Sequence, residues 1–196
     1  LEPFRLTIQL ALAILVYFML FGLNNFRAVS TSIALRQIEA ENVIANTGIA
    51  FALMGVASTL GVLLVSTRFF RKQRLRTVLV AATLFSAGAY LLQALSGTAS
   101  LFVVALTIAA LLNAAMFPAT NTLIAFNVAR SRRGTAFGLA SGAQAVGLMA
   151  GPMAAALFTA TSLTMGFAAI AAVLACLAVL IALLVREPEQ ESPPSR

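Results

Sequence analysis

Six runs of apolar residues, each long enough to cross a hydrocarbon core of about 30 Å as a helix, alternate with short polar connections along the chain. They cover about residues 6–26, 43–65, 77–95, 101–126, 135–159 and 163–185, and the first has room to continue as helix to Leu35. The pattern predicts an all-α integral membrane bundle over residues 1–186, followed by a polar, proline-rich tail over 187–196 that reads as disordered. Polar side chains are spread unevenly over the runs. The sixth has no strongly polar residue, and the third carries only Thr83, Ser86, Tyr90 and Gln93. The first holds Asn24, Asn25 and Arg27, the fourth Asn113, Thr120 and Asn121, and the fifth Ser141 and Gln144. Polar groups at membrane depth are costly unless they face the bundle interior or a wet cavity. Spans one, four and five are therefore the expected walls of a cavity, and the sixth is expected to face lipid.

Composition supports lipid as the solvent: 61% of the 196 residues are hydrophobic and only 10% are charged. The net charge of +7 does not point to nucleic acid, because the basic residues form short clusters between apolar runs with no aromatic-interleaved basic face. Arg5, then Arg68, Arg71, Lys72, Arg74 and Arg76, then Arg130, Arg132 and Arg133, then Arg186 and Arg196 fall on one side of the predicted membrane. Only Arg27 and Arg36 fall on the other. The positive-inside bias places the eleven in the cytoplasm together with both termini. Binding of anionic headgroups or of a partner domain is an alternative use of these loops, but topology alone accounts for them.

The same residues disfavour enzymes and metal centres. Histidine is absent, Cys176 is the single cysteine, and the six acids (Glu2, Glu39, Glu41, Glu187, Glu189 and Glu191) lie outside the spans. Nucleophile–base pairs, paired intramembrane carboxylates, His/Cys metal sites and disulfides are thereby excluded, no phosphate loop is present, and no cofactor is expected.

Three groups of residues stand out. Tyr17, Asn24, Arg27 and Thr31 share one helical face, which suits a cavity wall offering a cation and an amide. The alternative is that the first span ends near Phe26 and Arg27 snorkels to the interface, since an arginine at the helix centre costs about 2.5–3.5 kcal/mol on insertion scales. Asn113, Phe117 and Asn121 step by four along the fourth span, with Met116 and Thr120 beside them and Pro118 between them. That set suits either a pocket of mixed polarity or interhelical hydrogen bonding. The third group is Gly138-x8-Gly147-x3-Gly151-Pro152, a small-residue helix suited to close packing and bending in lipid.

The glycine–proline run resembles the antiporter signature of the major facilitator superfamily, with Ala155-Ala156 where a Gly-Gly pair normally follows. Phe117-Pro118-Ala-Thr-Asn121-Thr-Leu-Ile-Ala125, then Arg133-Gly134-Thr-Ala-Phe137-Gly138, is similar to the tenth-to-eleventh helix region of its bacterial drug:proton exporters. The loop from Leu63 to Lys72 keeps Arg68, Arg71 and Lys72 of the first-half loop pattern but has Thr67 at the aspartate position and Phe70 at the second glycine. With no arginine in the fourth span, this suits the C-terminal half, and the chain opens on Leu1 as a piece of a longer protein would. The resemblance implies two inverted three-helix repeats, with spans one and four at the cavity, two and five against the N-terminal half, and three and six outermost. It also implies efflux of drugs or metabolites by alternating access, coupled to proton entry, in a bacterial inner membrane. The expected substrate cavity is Tyr17, Asn24, Arg27, Asn113, Phe117, Asn121 and Gln144, with the glycine–proline helix sliding on the other half. A six-helix scaffold and a homodimeric half-size transporter are the rival expectations.

Overall fold

The computed structural model describes residues 7–66 and 75–185. Among these are six long helices: α1 Ile8–Ile38, α2 Val43–Ser66, α3 Leu75–Ala94, α4 Ala99–Asn127, α5 Arg133–Thr161 and α6 Leu163–Leu184. A single 3-10 turn, Arg130–Arg132, joins α4 to α5. All six are long and apolar enough to cross a membrane. Hydroxyl side chains start three of them, where they accept otherwise unpaired amide protons: Thr7 from Leu10, Thr98 from Leu101 and Ser162 from Met165. The expected tail over 187–196 lies outside the described residues.

The apolar run of α1 stops at Phe26 with room for helix to Leu35, and the helix takes that room: it continues to Ile38 and spans about 46 Å at 1.5 Å per residue. Tertiary burial explains the extension: Arg27, Ser30 and Thr31 are all enclosed by neighbouring helices. The Ser30 hydroxyl donates to Phe26 O at 2.7 Å and so meets its own needs within the helix.

The helices do not pack in chain order. α1 lies along α5, α2 along α4 and α3 along α6, with α3 also against α4 and α1 touching α4. Taking α1–α3 and α4–α6 as two units, the first helix of each packs on the second helix of the other. The backbones come closest in these exchanged pairs. A Cβ placed on Gly61 of α2 would stand 2.2 Å from Leu111 O of α4. One on Gly151 of α5 would stand 2.3 Å from Gly22 O of α1, and one on Gly147 2.4 Å from Phe18 O. Gly61 precedes Gly151 by 90 residues and Gly22 precedes Leu111 by 89, so the two crossings occupy corresponding places in the two units. In lipid, contact of this kind holds helices together by dispersion, because no hydrophobic force separates apolar helices from lipid tails.

Phe167 of α6 centres the rest of the core. Its ring lies 5.4 Å from Phe26 of α1, 5.6 Å from Phe102 of α4 and 6.4 Å from Tyr90 of α3, and the two phenylalanine contacts are edge-on.

The glycine–proline helix does not act as one surface. Gly147 and Gly151 press on α1 within this bundle, whereas a Cβ on Gly138 would meet nothing within 4 Å. Nine residues make two and a half turns, so Gly138 and Gly147 sit on opposite faces of α5. The expected sliding contact with another half is thus corrected for Gly147 and Gly151, whose close neighbour is α1. Gly138 shares its open face with Gly134 and Gly142.

Candidate substrate cavity

A cavity of about 240 Å³ opens between α1, α2 and α4. Asn24, Arg27, Asn113 and Phe117 line it, together with Leu20, Phe21, Ser58, Val62, Ala110 and Ala114. On α1, Leu20, Asn24 and Arg27 recur at helical spacing of four and three residues, which turns one stripe toward the cavity. On α4, Ala110, Asn113, Ala114 and Phe117 do the same.

Tyr17 and Asn121 stand beside this wall. The Tyr17 hydroxyl donates to Asn121 Oδ1 and ties α1 to α4. The Tyr17 ring lies 5.5 Å from Phe117 and 5.9 Å from Phe21, and Phe21 and Phe117 are 5.9 Å apart. Three aromatic rings therefore form one end of the site. Met116 and Thr120, on the adjoining strip, turn to the core. Met116 sulfur accepts from the Thr83 hydroxyl at 3.6 Å, and the Thr120 hydroxyl donates to Met116 O at 2.8 Å.

Arg27 settles between its two sequence readings on the side of the interior. It is 2% exposed, and its one hydrogen bond among the described residues runs from Nη2 to Asn24 Oδ1 at 3.3 Å. Nε and Nη1 have no partner among the described residues. Asn113 Oδ1 accepts from the Ser86 hydroxyl of α3 at 2.8 Å, and its Nδ2 faces the hydroxyl of the fully buried Tyr90 of α3. Neither Asn113 Nδ2 nor the Tyr90 hydroxyl has any other partner among the described residues, and Tyr90 also lies beside Arg27.

Gln144 is half-buried on α5 and is not part of this wall. The polar third side expected from the fifth span comes instead from α2, through Ser58. Sequence reasoning missed Ser58 because a small hydroxyl residue beside Thr59 in a largely apolar helix carries little polarity signal; only the exchange of helix partners turns it inward.

The basic turn after α4 has a local structural use. Arg133 Nη2 donates to Ala125 O at 3.1 Å, which serves a carbonyl near the end of α4. Arg130 is exposed and Arg132 half-buried. Arg68, Arg71 and Lys72 lie outside the described residues.

The family model described as Major Facilitator Superfamily matches residues 6–196. No curated protein matches the sequence. Among solved structures, the chain is similar to a bacterial homolog of the human lysosomal transporter Spinster, in an inward-facing and unoccupied conformation. The identity is 15% and the TM-score 0.76, over 96% of this chain and 45% of that one. The chain thus spans less than half the length of the protein whose fold it shares.

Proposed function

The chain belongs to the Major Facilitator Superfamily, and from that premise we propose that it is the C-terminal six-helix half of an exporter of drugs or metabolites, driven by proton entry. The observation that carries the reading is the cavity itself. Asn24, Arg27 and Asn113 are gathered between α1, α2 and α4, where a merely structural bundle would be filled by apolar side chains. Transport through a multi-pass membrane protein of this fold requires such a polar place at membrane depth, reached from either side in turn.

The partner in this reading is an N-terminal half packed on α2 and α5. These two helices keep large apolar side chains outward, including Val56 and Leu63 on α2 and Met149 and Met153 on α5. The open glycines Gly134, Gly138 and Gly142 give α5 a face that another helix backbone can approach closely. The positive-inside bias of the basic loops supports cytoplasmic termini in a bacterial inner membrane, and the resemblance of Gly138, Gly147, Gly151 and Pro152 to the superfamily's antiporter signature favours antiport. Among the described residues the only acids are Glu39 and Glu41, at the α1–α2 connection. The proton-carrying carboxylate therefore belongs to the other half in this account.

The test is transport in inside-out vesicles containing the full natural protein. Uptake of an exported dye is expected to rise when the vesicle interior is acidified and to collapse to background on addition of a protonophore. Uptake unaffected by the protonophore contradicts proton coupling, and uptake equal to that of protein-free vesicles contradicts export.

A further inference from the structure

We propose that the cavity binds the oxyanion of an amphipathic organic anion, a carboxylate, sulfonate or phosphate, through Arg27 and Asn113, with the apolar body of the molecule against Phe21 and Phe117. The inference rests on the transport reading and adds to it the chemical class of the substrate.

Its basis is a mismatch of donors and acceptors. Arg27 is 2% exposed and offers Nε and Nη1 to nothing among the described residues. Asn113 Nδ2 and the Tyr90 hydroxyl beside it have no partner among the described residues other than each other. The unmet buried acceptors, Thr31 Oγ1 and Gln93 Oε1, are neutral, whereas Arg27 carries a full positive charge that cannot be discharged by losing a proton. A buried arginine is normally paired with an acid, yet the nearest along α1 is Glu39, twelve residues away, and it is engaged elsewhere. Its Oε1 accepts from Asn42 at 2.9 Å and its Oε2 from Asn46 at 3.4 Å. A neutral or cationic ligand leaves the guanidinium uncompensated. An oxyanion accepts from the guanidinium fork and from the amide together, the strongest hydrogen-bond geometry available to arginine. Arg27 already lines the cavity, and its one hydrogen bond among the described residues is the 3.3 Å bond to Asn24, so little has to break for its free nitrogens to meet a ligand. The three rings at the other end supply a surface for an apolar body.

The discriminating experiment compares one molecular frame with three head groups. 2-Naphthoate, 2-naphthamide and 2-naphthylmethylamine are titrated calorimetrically against the full natural protein in phosphatidylcholine nanodiscs. Naphthoate is expected to bind about ten-fold or more tightly than naphthamide, the range for a charge-assisted bond against a neutral one. Arg27→Gln is expected to remove that preference and Arg27→Lys to keep part of it. Ligand-free Arg27→Gln is expected to melt about 2–4 °C higher, since an unpaired buried charge has gone. Equal affinity for naphthoate and naphthamide overturns the proposal, as does preference for the amine. A lower melting temperature for Arg27→Gln also overturns it, because Arg27 would then be neutralised by an acid of the protein. Added phosphatidylglycerol is expected to leave naphthoate binding unchanged. If it abolishes binding, the site belongs to a lipid phosphate and the assignment to a soluble substrate falls. Any of these results leaves proton-driven dye uptake intact, so the ligand class and the transport reading fail separately.

Discussion

Leucine at Gly151 is expected to destabilise the bundle most, with leucine at Gly147 close behind it. The first carbon of the new side chain would stand 2.3 Å from Gly22 O and 2.9 Å from both Asn25 Cβ and Phe26 N. None of these is the far end of a flexible side chain, so α1 and α5 must separate. Overpacking usually costs 1–3 kcal/mol when side chains can adjust, and here backbone must move along the most extensive helix contact in the molecule. A loss of ~3 kcal/mol or more lowers the melting temperature of a chain this size by about 6–12 °C. Gly61→Leu is expected to behave alike, because Leu111 O lies in the same relation to it. Gly138→Ala is the control. Within this six-helix bundle its added carbon meets nothing, and alanine in place of a helical glycine contributes about 0.5–1 kcal/mol. Thermal melting of the four purified variants checks the contrast; equal melting of Gly151→Leu and Gly138→Ala contradicts the close crossing.

The second large effect is expected on transport, with the fold retained. Asn24 is exposed, lines the cavity and, among the described residues, makes one side-chain hydrogen bond, with Arg27. Tryptophan at Asn24 fills much of a cavity of about 240 Å³ without a clash inside the core. Transport is expected to fall about ten-fold or more, while the melting temperature moves by no more than about 3 °C, the loss of one hydrogen bond. Alanine at Asn24, which opens the cavity, is expected to retain most activity. A tryptophan variant that transports normally contradicts the placement of the substrate path.

The six helices were legible because apolar runs of sufficient length stand between short polar connections, and in lipid a helix is the only open form that satisfies its own backbone. The end of α1 was left open between Phe26 and Leu35, since Arg27 reads as a border on a hydropathy scale and its burial depends on helices far along the chain. The wall residues Asn24, Arg27, Asn113 and Phe117 could be found by their helical spacing. Ser58 and the exclusion of Gln144 depend on which helix lies beside which, and that exchange between the two three-helix units leaves no local mark. Tyr17 and Asn121 are 104 residues apart and meet only in the folded bundle. The division of α5 was open to simple arithmetic: nine residues put Gly138 and Gly147 on opposite sides, whereas Gly147 and Gly151 share one.

The central claim is that the cavity between α1, α2 and α4 is reached by water from each side of the membrane in turn. A single cysteine at Ser58, in a full natural protein otherwise free of cysteine, reports this directly. The account predicts labelling by a membrane-impermeant, positively charged thiol reagent both in right-side-out and in inside-out vesicles, with substrate slowing both. Labelling from one side alone, or from neither, would contradict it and leave a static bundle.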